Sequence, residues 1–338
     1  MDSLTHIFLG AAIGELTMGK KLGKQAMLLG AFANSIPDFD FIASFFLPTT
    51  ADLLAHRGFT HSFLFLVLLS PLLALLARRV GRTRGFARWL EPRMGAWTAF
   101  FSLEIFVHIF LDAFNGYGTG WFEPFSHYRV SFNTLFVADP LFTIVPAIAF
   151  FVLLFRRMDF KARKKWAVLA VALPSIYLVY ALFNKNIIQR SLARQSAKTE
   201  RYFSTPTALN SMLWYVVQEK DSGYNIGYRS VFDRNDTIDF VFFPRNEHLL
   251  RNVKDVEDIN RLKRFSQNYY TIQKSGPELV FNDLRFGQVI GWIDPHEEFV
   301  FHYFLQQPKS NDMVVQRGRF AKWDAKAVEL LLKRIRGN

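Results

Sequence analysis

The 338-residue chain contains no cysteine, which excludes disulfide bonds and metal sites built from thiolates. A metal ion bound to this chain must therefore be held by histidine nitrogens and by oxygen atoms such as those of Asp and Glu. The chain also begins without the basic stretch and the small-residue cleavage site of a secretory signal peptide. We expect its apolar segments to direct membrane insertion themselves.

Acidic residues are fewer than basic ones, 29 against 41, and the net charge of +12 raises the question of a nucleic-acid partner. Before residue 184, however, the basic residues concentrate in three short clusters, at 20–24, 78–93 and 156–165. Short basic loops between apolar segments are typical of the cytoplasmic side of membrane proteins. The charge therefore predicts membrane topology, and no nucleic-acid partner is expected.

Apolar residues are abundant, and they concentrate before residue 184; phenylalanine alone contributes 37 residues to the chain. Four stretches approach the roughly 20 apolar residues that cross a bilayer as a helix, namely 59–77, 95–114, 137–155 and 166–183. Segment 4–18 is short, and segment 25–47 is interrupted by Pro37, Asp38 and Asp40. The pattern predicts a membrane α-helical bundle of about five to six membrane segments.

The sequence after residue 183 is mixed polar and alternating, which is typical of β-strands. Residues 213–233 predict two strands around an Asp-Ser-Gly turn, and residues 325–336 predict a closing helix. Further strands are predicted at 237–244, 269–276, 277–292 and 298–306. We therefore predict two domains: a helical membrane domain at 1–183 that carries a metal site, and an extramembrane α+β or mostly β domain at 184–338.

Basic clusters in the cytoplasm would place the other helix ends, and the C-terminal domain, on the outer, extracytoplasmic side of the membrane. The ionisable residues near the ends of the apolar segments were not used for this assignment, yet they gather on that side. They are His6, Asp38, Asp40, His56, His61, Asp112 and Asp139, with His108 one helical turn deeper. Polar groups at membrane depth are costly and mark functional sites, so their convergence predicts one.

The motif "HIFLD" places His108 and Asp112 four residues apart, hence on one face of a helix, and Glu104 extends this stripe by one turn. The motif "SIPDFDF" places Asp38 and Asp40 directly after a proline, where the chain leaves helical geometry and two carboxylates can point at a common centre. A hydrogen-bonded structural histidine and a solvated helix break are the structural alternatives for these two motifs.

In the motif "HRGFTHS", Gly58 permits a sharp turn between His56 and His61. Neutral imidazoles are good ligands for zinc and other divalent transition metals. Arg57 suits a bidentate bond to a phosphate or carboxylate, and its structural alternative is an anchor against lipid head groups.

Together the motifs supply four histidines and three aspartates, more than one ion normally requires. The predicted cofactor is a divalent metal, zinc by preference, as one or two ions, and the candidate ligands are His6, Asp38, Asp40, His56, His61, His108 and Asp112. Two ions would clamp the attacking and leaving oxygens of a displacement at phosphorus. The candidate catalytic residues are Arg57 on the anionic group, with Glu104 or Asp139 as base or as the partner of a ligand.

Five motifs resemble, in their order along residues 1–160, the YdjM family of inner-membrane proteins, which are described as metal-dependent hydrolases and as LexA-binding. They are "MDSLTH", "ANSIPDFD", "HRGFTHS", "HIFLDAFNGYGTGWFEPFSHYRVSF" and "VADPLFTI". The resemblance implies the same seven metal ligands, with Arg57, Tyr117, Thr119 and Asp139 lining the site; the first three of these are the candidate substrate contacts. The chain departs from the family pattern at His127, where an aspartate is expected.

The predicted function is a membrane-bound metal-dependent hydrolase that acts on a phosphoester or lipid-like substrate at the membrane surface through metal-activated water. An ester or amide substrate stays open, since a zinc centre hydrolyses those too. The alternative is a non-catalytic membrane protein with a structural metal site and a C-terminal domain that binds a partner protein. LexA binding would need cytoplasmic surface, of which the predicted topology leaves little. A transporter would need polar residues through the whole membrane depth, and only Glu15 and Glu104 lie deep.

Overall fold

A computed structural model describes residues 1–83, 85–196, 201–307, 311, 320 and 322–337. The chain divides into two units. The first comprises Met1–Phe45 and Ala55–Tyr180, and the second comprises Phe46–Leu54 and Ala181–Asn338. The boundary near residue 180 lies close to the predicted one, but the sequence contains no sign that a segment of the N-terminal half belongs to the second unit.

The first unit is helical, and its helices begin at residues suited to that position. Asp2 accepts a hydrogen bond from Thr5 N at the start of α1, and Asp139 accepts bonds from Leu141 N and Phe142 N at the start of α6. The helices are α1 (Ser3–Leu22), α2 (Lys24–Ser35), α4 (Phe63–Val80), α5 (Met94–Asp112), α6 (Pro140–Phe155) and α7 (Phe160–Gln195). Helix α3 (Thr49–Ala55) lies mostly in the second unit. Two 3-10 helices, Pro37–Phe45 and Phe59–His61, carry the motifs around Asp38 and His61.

Helices α1 and α2 pack backbone to backbone through three glycines. A Cβ atom on Gly14 would lie 2.2 Å from Ala26 O, and one on Gly10 would lie 2.4 Å from the Asn34 Cβ. Gly30 is equally close to the backbone of α1, with Gly10 O at 2.2 Å from its ideal Cβ position. Small residues four apart permit this close approach, which is common between membrane helices.

Within the part of the chain that the structure describes, three helices are long and apolar enough to cross a membrane: α4, α5 and α7. Helix α6 is apolar but shorter. Predicted segment 25–47 consists of α2 followed by the 3-10 helix Pro37–Phe45, because the chain bends at the proline. The structure therefore supports a membrane helical region, and the number of about five to six spans stays a prediction.

The described residues of the second unit form two antiparallel sheets. The first has the order β1 (Tyr202–Pro206), β2 (Leu213–Lys220), β3 (Gly223–Ser230), β4 (Phe240–Pro244), and the second has the order β5 (Tyr270–Ser275), β6 (Glu278–Gln288), β7 (Phe299–Phe304). Side chains from both sheets share one buried apolar cluster, which includes Tyr215, Tyr224, Leu284 and Phe299. The hairpin predicted at 213–233 is confirmed, with Leu213 paired to Ser230 and Lys220 to Gly223.

The other predicted strands are confirmed as β4 to β7, and the closing helix is confirmed as α9 (Ala325–Ile335). Strand β1 and helix α8 (Val256–Phe265) were not predicted. Helix α8 is amphipathic and buries Ile259, Leu262 and Phe265. The Thr50 hydroxyl of α3 donates a hydrogen bond to the Asp258 carboxylate of α8, so that the Phe46–Leu54 segment is fixed within the second unit.

Candidate metal centre

Four side chains of the first unit meet at one point. Asp38, His61, His108 and Asp112 each place one ligand atom so that all four atoms lie within 4.8 Å of one another. We call this group the four-residue cluster. His61, His108 and Asp112 are fully buried, whereas the Asp38 side chain is 15% exposed.

The local sequence explains this convergence. Asp38 lies in the first turn of a 3-10 helix that begins at Pro37, and His61 ends a second 3-10 helix directly before α4. Ser62 caps α4 by accepting a hydrogen bond from Phe65 N. The cap fixes the start of α4 and with it the position of His61, the residue before Ser62. His108 and Asp112 lie four residues apart on α5 and share one face, as the sequence predicts.

The atoms that meet at the cluster are mostly acceptors. Asp112 Oδ2 lies 3.2 Å from His61 Nε2 and 3.6 Å from His108 Nε2, and Asp38 Oδ1 lies 3.5 Å from His108 Nε2. Among the described residues, the buried Asp112 Oδ2 accepts no hydrogen bond of normal geometry, and its cationic neighbour is the Arg57 guanidinium at ion-pair distance. Buried acceptors that face one another are costly unless a proton or a cation lies between them.

The outer nitrogen of His61 indicates which atom carries its proton. Its Nδ1 lies 3.0 Å from the Thr60 hydroxyl, which in turn lies 3.3 Å from Asp40 Oδ2. Asp40 Oδ2 itself is 3.4 Å from His61 Nδ1. An ionised carboxylate only accepts, so Thr60 donates to Asp40 and His61 donates from Nδ1. The Nε2 lone pair of His61 then points into the cluster.

Two imidazoles and two carboxylates suit zinc and other divalent transition metals. A carboxylate behind a ligand histidine, as Asp40 lies behind His61, is the usual outer arrangement at such sites. The donor set of the four-residue cluster therefore fits a divalent cation. Neither the identity of the ion nor the predicted second ion follows from this geometry.

The other three predicted ligands surround the four-residue cluster. His6 Nε2 lies 3.0 Å from Asp112 Oδ1, and its ring stacks on His108 with centroids 3.7 Å apart. The Met1 amine also donates to this Asp112 oxygen. Asp40 lies behind the cluster, and its Oδ1 is 3.0 Å from Nδ1 of His56, whose side chain is 40% exposed. The ligand roles of His6, Asp40 and His56 stay predictions.

Arg57 is buried beside the cluster, with its backbone in the left-handed region at φ 56°. Its Nη1 donates to Asn115 Oδ1 at 2.8 Å, its Nη2 donates to Met1 O at 2.9 Å, and its Nε forms an ion pair with Asp112 Oδ2 at 3.2 Å. Burial lowers the pKa of the guanidinium, and the nearby Asp38 carboxylate opposes that change. These contacts make Arg57 an internal counter-charge of the centre, and its predicted contact with a substrate anion stays a prediction.

The other predicted substrate contacts lie close to Arg57. The Tyr117 ring lies under the guanidinium at 5.1 Å, and Thr119 pairs with Val130 through backbone hydrogen bonds in both directions. Among the residues that the structure describes, the buried donors Asn115 Nδ2 and Thr119 Oγ1 have no hydrogen-bond partner. Such orphan groups beside a cationic side chain suit polar substrate atoms.

Three other sequence positions lie apart from these contacts. Asp139 caps α6 and accepts a hydrogen bond from the Tyr177 hydroxyl at 2.8 Å, which is a structural use of an aspartate. Glu104 lies one turn below His108 and accepts a hydrogen bond from the Asn34 amide at 3.0 Å. His127 is exposed and pairs with Glu123. The catalytic roles of Glu104 and Asp139 stay predictions.

Two polar residues of this region were not singled out from the sequence. Asn34 joins His6 to Glu104, and Asn115 holds Arg57. Both are neutral amides at the ends of apolar helices, where asparagine is common as a capping or turn residue. The quoted motifs "ANSIPDFD" and "HIFLDAFNGYGTGWFEPFSHYRVSF" contain them, so their place within motifs was the available signal.

Comparison with known proteins gives two curated relatives and one family. YfhP of Bacillus subtilis (strain 168), described as an uncharacterized protein, is 32% identical over 155 residues, which is 43% of either chain. The inner membrane protein YbcI of Escherichia coli (strain K12) is 27% identical over 128 residues, which is 37% of this chain and 69% of YbcI. The alignment with YfhP thus spans less than half of that protein. No solved structure matches the chain.

The family model described as YdjM inner membrane protein matches residues 1–188, which is more than half of the chain and contains every residue of the candidate centre. The resemblance drawn from five short motifs is thereby confirmed. The chain belongs to the YdjM inner membrane protein family.

Proposed function

We propose that the protein is a membrane-bound metal-dependent hydrolase that acts on a phosphoester at the membrane surface. One observation carries the proposal: acceptor atoms from three separate helical segments converge in the four-residue cluster, where a divalent cation fits. A divalent ion bound there would supply Lewis-acid activation of water and of a phosphoryl oxygen.

The chain's own residues would control how substrate reaches this point. Asp38 is the only member of the four-residue cluster with an exposed edge, so the open side of the centre lies there. His56 is 40% exposed and is bonded to Asp40, which lies in the same 3-10 helix as Asp38. Its side chain is therefore available to a substrate at that side. Arg57 would hold Asp112 in place and offset its negative charge.

An apolar groove, whose walls continue from segments of the candidate centre, supports a substrate with an acyl chain. It measures about 340 Å³ and is lined by Phe63, Leu64, Val67, Trp121, Phe122, Glu123 and Phe125. Helix α4, which supplies one wall, begins two residues after His61. The other wall is tied to the loop that carries Arg57, because Gly120 N donates to Arg57 O at 2.8 Å. Both walls are therefore continuous with segments of the candidate centre.

The test is metal analysis of protein purified in detergent, together with hydrolysis of a soluble phosphodiester and of a phospholipid. His108→Ala removes a buried member of the cluster, and His127→Ala is the matched control, since that histidine is exposed and pairs with Glu123. We expect His108→Ala to lose metal and activity and His127→Ala to keep both. Equal metal content in all three proteins would refute the centre.

A closed structural site is the second candidate. Three members of the cluster are fully buried, and four protein ligands fill a tetrahedral shell without leaving a position for water. Tightly held metal without hydrolysis of any ester, combined with unfolding on chelation, would favour this candidate. We also propose that the C-terminal domain is extracytoplasmic and available there to a partner protein, as the basic clusters predict.

A further inference from the structure

A chain of buried hydrogen bonds leads from the candidate centre into the helix bundle. His6 Nδ1 lies 3.3 Å from Asn34 Oδ1, and Asn34 Nδ2 lies 2.9 Å from Glu104 O and 3.0 Å from Glu104 Oε2. All three side chains are fully buried, and they come from three different helices, α1, α2 and α5. On the other side of its ring, His6 Nε2 lies 3.0 Å from Asp112 Oδ1.

The partners of Asn34 fix the direction of its amide. Both groups of Glu104 at Asn34 Nδ2, the carbonyl and the carboxylate oxygen, are acceptors, so they must face the NH2 group. The amide oxygen therefore faces His6, and it can only accept. A neutral His6 must then carry its proton on Nδ1, which leaves the lone pair of Nε2 directed at Asp112 Oδ1.

We propose that Asn34 and Glu104 are positioning residues, which select the tautomer of His6 that offers Nε2 to the metal ion bound at Asp112. The inference rests on the proposed metal centre and deepens it, because it adds His6 to the cluster as a donor aimed from outside. Glu104 acts through Asn34 and His6 and does not touch the ion. The sequence left two roles open for Glu104, a base or the partner of a ligand, and this role is of the second kind.

Glycines beside these residues let the three helices approach closely enough for these hydrogen bonds. Gly10 lies one turn after His6, and a Cβ atom there would meet the Asn34 Cβ at 2.4 Å. A Cβ atom on Gly30 would meet Glu104 Oε1 at 2.8 Å. A buried carboxylate and amide in a membrane helix bundle are costly, and an outer partner of a ligand histidine is a common reason for retaining such groups.

The experiment compares Co²⁺ binding by the 338-residue protein in detergent with that of five variants, one of which is His108→Ala. The readouts are the visible ligand-field spectrum, which reports the donor atoms around the ion, and Co²⁺ affinity by chelator competition. Glu104→Leu removes the side-chain acceptor from Asn34 and leaves it the backbone carbonyl, whereas Glu104→Gln keeps an acceptor oxygen on the side chain as well. Asn34→Ser removes the acceptor from His6 with a smaller side chain, which keeps the test available if Glu104→Leu does not fold.

Glu15→Leu is the matched control. Glu15 is also a buried carboxylate, but its partner is Arg163, at 2.6 Å and 2.8 Å, on helix α7. We expect Glu104→Leu and Asn34→Ser to weaken Co²⁺ binding about 10- to 100-fold and to alter the spectrum. Glu104→Gln and Glu15→Leu should keep the spectrum of the unmodified protein.

Two results would overturn the proposal in different ways. If Glu104→Leu and Asn34→Ser lose only thermal stability and keep the spectrum and the affinity, these residues are structural, and the metal centre stands without them. If the unmodified protein shows no specific Co²⁺ spectrum and His108→Ala does not differ from it, the proposed metal centre itself fails, and the positioning role fails with it.

Discussion

Replacing Asp40 with asparagine tests whether this residue is a ligand or an outer partner of the centre. Its carboxylate accepts from Arg57 N at 2.7 Å and from the Thr60 hydroxyl at 3.3 Å, and it lies behind His61. The amide of asparagine can keep its oxygen on these groups. Its NH2 group would then face His56, which is 40% exposed and can exchange its tautomer to accept.

The expected loss therefore comes from the charge alone. A hydrogen bond to a charged group contributes about 1.5–3 kcal/mol and a neutral one about 0.5–1.5 kcal/mol, so each affected bond loses roughly 1–1.5 kcal/mol. The two bonds to Arg57 N and Thr60 together lose roughly 2–3 kcal/mol. That loss should appear as a lower free energy of unfolding. Metal affinity should fall separately, because changes in the outer partners of ligand histidines typically weaken metal binding 10- to 100-fold, about 1.4–2.7 kcal/mol.

The assay is metal competition against a fluorescent chelator, with metal content measured in parallel. Asp40→Asn should keep the stoichiometry of the unmodified protein at reduced affinity, whereas Asp38→Asn should lose the ion. Asp139→Asn is the control for a buried aspartate outside the centre and should leave affinity unchanged. Loss of the ion in Asp40→Asn would make Asp40 a ligand, and unchanged affinity would refute its outer role.

Four further predictions concern packing, metal and topology. Tyr177→Phe removes the hydrogen bond to Asp139 and should lower the free energy of unfolding by about 1.5–3 kcal/mol without changing metal affinity, measured by denaturation. Gly14→Leu should separate α1 from α2, since its Cβ would lie 2.2 Å from a backbone oxygen, and should cost about 1–3 kcal/mol or more in the same assay; no loss would contradict the close packing. Chelation should lower the unfolding temperature, because an ion present at 100 times its Kd stabilises the folded state by about 2.7 kcal/mol. A reporter that is active only in the cytoplasm should stay inactive when fused after residue 338, and activity there would reverse the predicted topology.

The sequence predicted those parts of the centre that obey helical periodicity. His108 and Asp112 lie on one face of α5 as expected, and the structure brings Asp38 and His61 to them. The sequence alone could not show which of the two carboxylates, Asp38 or Asp40, faces the cluster. In a 3-10 helix, which has about 3 residues per turn, residues two apart point roughly 120° away from each other, so one faces the cluster and the other faces away.

Other parts of the arrangement depend on contacts that no local pattern encodes. Asn34 reaches His6 and Glu104 because glycines let α1 and α2 approach each other. Each of these glycines, taken alone in the sequence, does not indicate such a contact. Asp139 carries the charge and position expected of a site residue, but its oxygens cap α6 and bind Tyr177. In the C-terminal half, alternation predicted the hairpin of β2 and β3, whereas the short strand β1 lacked a comparable signal.

The attachment of α3 to the second unit has a consequence for biosynthesis. Thr50 and its partner Asp258 are separated by 208 residues. At a synthesis rate of about 5–20 residues per second, the segment waits roughly 10–40 s for α8 to emerge. Asp40 and His56 flank that segment and are made long before it is anchored. We therefore expect the loop between Asp40 and His56 to be the last part of the centre to reach its final conformation. In chains whose synthesis stops before residue 258, this loop should stay unattached.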